Sequence, residues 1–261
     1  PFVKLCAATF LVFNGYQLGV SFALYVMIYY LFGGQDSPAG ELNGWWGSLT
    51  AVCTIVAIPI TAWLSQHLGK RTTFMVTISL SMFGYAIKWV GYNPDAPYLL
   101  LISCPFVAFG TGSLFTLMGA MISDVCDYDE LHSNQRREGV FGAIYWWMVK
   151  VGMALALLLT GYLLDFSGFI TPPAPPAEAA ESAAPSEDDS ESDSPPEEDA
   201  GPVVQSEETM LWLRLFDVVI PIVTSAIALG IMWSYEISES KAQEIRQQLE
   251  QRRGRLGGSP D

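Results

Sequence analysis

Seven charges fall within residues 124–138 of an otherwise apolar chain: Asp124, Asp127, Asp129, Glu130, Arg136, Arg137 and Glu138. An eighth, Lys150, stands alone in the apolar run Gly139–Leu164. Carboxylates and guanidiniums at this density can pair with one another, fix the direction of a chain in a membrane, or supply acid–base chemistry with His132. The last needs a nucleophile or a positioned partner. No such motif accompanies Asp124, Asp127 and His132, so an enzyme is not expected. Lys150 poses a sharper question. It is the twelfth residue of a run of 26, which is near the middle of any span that run forms. A lysine there costs about 2.5–3.5 kcal/mol on insertion scales. It lies too deep to reach the interface easily, so a wet cavity or a carboxylate partner is the expected setting. A purely structural ion pair is the alternative, and no acid in the sequence lies at matching depth.

Trp146 and Trp147 precede Lys150 by four and three residues and share its helical face. Aromatic planes beside a cation suit a sugar-like ligand in an apolar pocket. Asn14 and Gln17, three apart with Tyr16 beside Gln17, either line the same cavity or hydrogen-bond between helices. Packing or lipid contact is the competing role for each tryptophan.

The elements that must place these residues are membrane helices. Apolar residues make up 51% of the 261 and charged residues 15%, against about 25% charged in soluble domains. A bilayer core needs roughly 20 apolar residues per helix. Six runs meet that length: Leu5–Phe32, Leu42–Gln66, Thr72–Gly91, Pro97–Ser123, Gly139–Leu164 and Met210–Tyr235. Helices satisfy their own backbone groups, as lipid requires. The fold class expected is all-α, a polytopic membrane protein of six spans. Residues 1–168 hold the first five, 169–209 an extracytoplasmic loop, 210–235 the sixth, and 236–261 an amphipathic, basic tail.

Direction follows from Lys and Arg in the connections. On alternate sides, one side holds ten of the 13: Lys4, Lys70, Arg71, Arg136, Arg137, Lys241, Arg246, Arg252, Arg253 and Arg255. The other side holds none, and Lys88, Lys150 and Arg214 lie within spans. The ten-residue side is expected to be cytoplasmic in a plasma (inner) membrane, with both ends of the chain on it. Twelve of the 27 acids lie between Glu178 and Glu208 on the opposite side. That Pro-, Ala- and Ser-rich segment cannot bury enough surface to fold and reads as a disordered spacer. In the tail, Ile237, Ile245 and Leu249 share a face suited to a membrane surface.

Smaller features complete the reading. Pro59, Pro105 and Pro221 bend the second, fourth and sixth spans. Gly15 and Gly19 form a close-packing pair, and Gly110 and Gly112 loosen the fourth span. Lys88, and Arg214 with Asp217, read as snorkelling residues or a local i,i+3 pair. Cys6, Cys53, Cys104 and Cys126 have no CxxC spacing and act as small apolar residues. Two histidines exclude a His-rich metal site, and neither a metal nor an organic cofactor is expected.

The stretch "SDVCDYDELHSNQRREG" resembles the cytoplasmic signature of the glycoside–pentoside–hexuronide:cation symporters, the melibiose permease-like family of the major facilitator superfamily. The matching parts are Asp124-x-x-Asp127-Tyr128, Glu130 and Arg136-Arg137-Glu138, with Lys150 at the family's spacing from Asp127. "WLSQHLGKRTTF" is similar to the superfamily's basic loop, with Gln66 and His67 where an acid–base pair is usual. The long acidic insertion departs from the pattern. The resemblance implies helices seven to twelve of a twelve-helix carrier, an N-terminal half not present here, and symport of a sugar or glycoside with Na+ or H+. It implies that Lys150 takes part in coupling, and that Asp124, Asp127, Glu130, Arg136, Arg137 and Glu138 form a cytoplasmic gate. Implied partners are the bilayer, a sugar-like substrate and the N-terminal half, with no nucleic acid. The competing reading is a self-contained six-helix protein that dimerises into a carrier or pore.

Overall fold

A computed structural model describes residues 1–171 and 205–257. Within them the chain forms seven long helices and no strand. Helix α1 covers Phe2–Tyr25 and runs on through a π-helical turn, Val26–Leu31. Helices α2 (Asp36–Leu68) and α3 (Lys70–Gly91) follow, joined by Gly69 alone. Gly69 has φ +78°, and a Cβ there would stand 3.1 Å from the Glu239 side chain. Conformation and space both reserve this hinge for glycine. A 3-10 segment, Pro97–Ser103, leads into α4 (Cys104–Ser133); α5 is Glu138–Phe166, α6 Glu207–Trp233 and α7 Glu239–Gly257.

The six spans expected from hydropathy are all present; each is long and apolar enough to cross a membrane. Their bounds differ instructively. The fourth does not stop at Ser123 but continues as helix to Ser133, carrying Asp124, Asp127, Asp129 and Glu130 with it. Charge ends a membrane run without ending a helix, because water can solvate the side chains while the backbone stays paired. The turn that follows is short, and Asn134 sits in the left-handed region (φ 56°) as its stop. The sixth helix begins at Glu207 rather than Met210. Ser206 caps it by accepting from the Thr209 N–H, and Glu207 and Glu208 complement the positive helix end. The expected disorder in the acidic loop falls largely outside the described residues.

Helix α1 is the central post. It packs on α6 and α5, while α4 packs on α2 and α3. A Cβ on Gly15 would meet Thr224 Oγ1 and the Pro221 backbone, and one on Gly19 would meet Pro221 Cγ. The glycine pair therefore allows α1 and α6 to touch, as expected. Gly110 and Gly112 have a packing role the sequence reading did not give them: a Cβ on Gly110 would strike Ser81, and one on Gly112 would press on Ala57. They let α3 and α2 approach. Pro105 lies where the 3-10 segment Pro97–Ser103 passes directly into α4, inside one continuous helical span, and Pro59 and Pro221 are interior to their helices. Several hydroxyls within the spans are satisfied by the preceding turn, as in Thr9 to the Leu5 carbonyl and Thr160 to that of Ala156, whereas the buried Thr61 hydroxyl is not.

Candidate functional site

At the end of the bundle rich in Lys and Arg, Asp124 is the hub. It is 5% exposed, and its two carboxylate oxygens accept from cations on different elements. Lys70 Nζ, at the start of α3, donates to Oδ2 at 2.5 Å, and Arg246 Nη2 of α7 donates to Oδ1 at 2.6 Å. Arg246 Nε also faces Asp127 Oδ2 at 3.7 Å. Around the hub the contacts are more exposed. Arg137 binds Asp129 with two parallel bonds of 2.7 and 3.0 Å, and Arg136 reaches Glu138 at 3.1 Å and Glu130 at 3.4 Å. Asp124, Asp127, Glu130, Arg136 and Glu138 thus join one network, with Arg136 lying 4.0 Å from Asp127, whereas Arg137 pairs separately with Asp129. Lys70 and Arg246 were not foreseen as members. Lys70 lies in the weakly matching basic loop, and Arg246 in the tail.

The tail helix does not present its apolar face to a membrane surface. Ile237, Ala242, Ile245 and Leu249 are buried, packed with the end of α4. Because α4 extends past Ser123, it offers protein surface where sequence reading placed only a loop. Arg252 donates to Asn134 Oδ1 at 2.5 Å, and Lys241 lies 5.6 Å from the Tyr128 ring centroid. Lys4 bridges to Glu236 at 2.8 Å, and that hydrogen bond holds the Glu236 carboxyl below the usual range.

In the middle of the bundle a cavity of about 520 Å³ opens between α1, α2, α4 and α5. Its walls combine Phe13, Trp46, Phe115 and Trp146 with the polar Tyr16, Gln17, Thr50, Thr54 and Thr111. Of the five residues singled out for ligand or coupling roles, the structure brings two, Gln17 and Trp146, to this cavity. Asn14 instead donates from Nδ2 to the Gly152 carbonyl of α5 at 3.0 Å, the helix–helix bond that was its other reading. Trp147 is 64% exposed and lies outside the lining, as does the exposed Lys150. Among the described residues Lys150 has no ion-pair partner. Sequence reading missed the α2 and α4 walls. A signal existed: Trp46, Thr50 and Thr54 recur every fourth residue along one face of an apolar helix.

A second polar cluster lies towards the opposite end. Lys88 is 1% exposed and Asp217 0%; they pair at 2.5 Å, with the Tyr92 hydroxyl donating to the second carboxylate oxygen at 2.6 Å. This overturns both readings of these residues. Lys88 does not snorkel, and Asp217 does not pair with Arg214. The guanidinium instead stacks between Tyr30 and Trp89, 4.3 and 4.4 Å from their centroids. The physical reason is that α3 and α6 pack side by side, and a buried charge seeks the nearest opposite one. The four cysteines are free, and the described residues contain no group of three or more metal-ligating side chains.

Six helices long and apolar enough to cross a membrane, four of them walling a mainly apolar cavity, with a network of ion pairs at one end, define a polytopic membrane protein. The model of the family described as MFS/sugar transport protein matches residues 1–239, and the chain belongs to that family. It is 28% identical over 125 residues to an isoprimeverose transporter of Lactiplantibacillus pentosus, covering 48% of this chain and 26% of the relative. A glucuronide carrier protein homolog of Escherichia coli (strain K12) is 22% identical over 203 residues, 77% of this chain and 37% of that one. A sodium-dependent lysophosphatidylcholine symporter of Danio rerio is 23% identical over 202 residues, 76% and 32% respectively. The chain thus spans well under half the length of these relatives. They are transporters, not enzymes.

Proposed function

We propose that this chain is part of a cation-coupled symporter, using Na+ or H+, that carries a sugar or glycoside by alternating access. The mid-membrane cavity between α1, α2, α4 and α5 carries the reading. Its aromatic faces can stack on the apolar side of a sugar ring, and Gln17, Tyr16 and the threonines can meet its hydroxyls. Relatives named for isoprimeverose and glucuronide support the class of substrate. In this proposal the Lys- and Arg-rich end is cytoplasmic, as the ten basic residues there argue. The Asp124 network is the gate on that side. Its ion pairs form when the side is closed and hydrate when it opens; the exposed ones around the hub cost little to break, and those of the nearly buried Asp124 cost more. Lys150 faces outward from α5, where a further half of the carrier would meet it, and it takes part in coupling there.

The test is uptake of 4-nitrophenyl α-xyloside and 4-nitrophenyl β-glucuronide into vesicles carrying the protein from its complete reading frame, with and without Na+ and with and without a proton gradient. Accumulation of either glycoside that depends on one gradient is expected. Lys150→Ala should keep membrane insertion and lose accumulation against a gradient. Cation-independent equilibration in the unaltered protein would end the coupling part of the proposal, and no uptake of any glycoside would end the whole. Because much of the cavity wall is apolar, lysophosphatidylcholine should be included as a competitor; inhibition by it alone would favour an amphiphile as substrate.

A further inference from the structure

The cavity between α1, α2, α4 and α5 is uneven in what it offers a ligand. Sugar hydroxyls donate and accept at once, so a wall that binds many of them needs donors as well as acceptors. The threonines of this wall have no hydrogen to give. The Thr54 and Thr111 hydroxyls lie 3.4 Å from one another, and each also reaches a carbonyl of its own helix, that of Thr50 at 2.8 Å and that of Ala108 at 3.1 Å. Both hydrogens are spent inside the protein, and only lone pairs are left. The Thr50 hydroxyl and the Trp46 indole N–H are themselves buried, out of reach of a ligand. That leaves as side-chain donors Tyr16 and Gln17, adjacent on α1, and the single indole N–H of Trp146.

The rest of the wall is apolar and open. Phe115 of α4 is 60% exposed and Trp146 of α5 is 52% exposed, so both show ring surface, and Ile55 of α2 and Met153 of α5 extend it. Phe13 meets Phe115 edge to face, with centroids 5.8 Å apart, which steadies that ring. Among the described residues no charged side chain lines the cavity. Its volume of about 520 Å³ is of the class that encloses drug-sized molecules.

We infer that this wall is the subsite for the non-sugar group of a glycoside, its aglycone. The substrate this fits is a glycoside bearing an uncharged aromatic or bulky alkyl group, which packs on Phe115 and Trp146 while Tyr16 and Gln17 hold the edge of the sugar. The inference rests on the cavity being the substrate site and narrows the class of substrate. Such a group covers aromatic surface that a bare sugar leaves wet, so the gain falls on affinity.

The test compares matched, radiolabelled glycosides on the complete carrier in vesicles: 4-nitrophenyl and methyl α-xyloside, and 4-nitrophenyl and methyl β-glucuronide. KM for uptake should be about tenfold lower for the 4-nitrophenyl member of a pair, a modest share of what burying an aromatic ring can yield. Equal KM values, or a lower one for the methyl member, overturn the inference. Phe115→Ala and Trp146→Ala should each draw the ratio towards one, by raising KM more for the 4-nitrophenyl member. Gln17→Ala should raise both members alike and keep the ratio. A ratio that survives both ring variants places the preference elsewhere and overturns the inference. Equal rises for both members in the ring variants show that Phe115 and Trp146 meet the sugar itself; the cavity then stands as the site and the aglycone assignment falls. Unchanged KM for both members in all three variants removes the cavity as the substrate site, and the inference with it. If an alanine variant does not insert, Phe115→Leu and Trp146→Leu, which remove the ring but keep an apolar side chain, decide on the same criteria, and the comparison on the unaltered carrier needs no variant.

Discussion

The two ends of this bundle treat charge in opposite ways. At one end Asp124 shares its oxygens between Lys70 and Arg246, and the surrounding acids and arginines have overlapping partners. Most of these side chains are partly exposed. Near the other end, Lys88 and Asp217 hold one another in an enclosed site with Tyr92 as the third member. A wet network with redundant partners loses little when one contact goes, because water and a neighbouring charge take its place. A dry pair has no substitute. The first kind of arrangement suits an element that opens and closes; the second suits one that stays put.

Four substitutions or conditions probe that contrast, from the largest expected effect to the smallest. Lys88→Met leaves a carboxylate buried without its cation and should destabilise by about 3–5 kcal/mol, read as a large fall in the thermal unfolding midpoint in detergent. A midpoint near the unaltered value would show that the site is not dry. Asp124→Asn removes the hub of the network while leaving a polar side chain. A loss of about 1.5–3 kcal/mol is expected, from charge-assisted bonds at a nearly buried position; a loss as large as that of Lys88→Met would erase the distinction drawn between the two ends. Arg137→Ala breaks the bidentate bond to Asp129 at an exposed site and should lower the unfolding midpoint less than either of the first two, by an amount that diminishes further in high salt. Salt-insensitive destabilisation would contradict its exposed character. The smallest effect concerns Glu236. Its carboxyl lies below the usual range because Lys4 donates to it, so the Lys4–Glu236 contribution is present above the unfolded-state value and is lost as pH falls through the lowered folded one. Unfolding midpoints of the unaltered protein and of Glu236→Gln should therefore converge on acidification; a constant difference across that window would exclude the bridge as its source.

What the sequence disclosed follows from the range of the interactions involved. The six spans are a matter of local composition, and their presence was legible. So was the close contact permitted by Gly15 and Gly19, since a small residue every fourth position marks a helix face. Partners were not legible where they lie far apart in the chain. Lys88 and Asp217 are separated by 129 residues, and the nearer Arg214 made a false local pair attractive. Separations of 54 and 122 residues likewise hid Lys70 and Arg246 from Asp124. Lys150 drew notice for its cost in lipid. Its exposure on α5 explains why the sequence held no carboxylate for it: nothing in the described residues packs on that face. The cavity was half seen, because Trp146 and Gln17 stood out chemically, whereas Thr50, Thr54 and Thr111 are ordinary residues until helices α2 and α4 bring them together.

The docking of α7 has a practical consequence. The end of a membrane protein's chain is a customary place for truncation or for an affinity tag. Here, removing the residues after Ser238 would take away Arg246, one of the two cations on Asp124, and would uncover Tyr128 and the apolar side of the α4 extension. A chain shortened there would therefore differ at its charged end. Handles for purification belong elsewhere, because trimming the tail would disturb the ion-pair network itself.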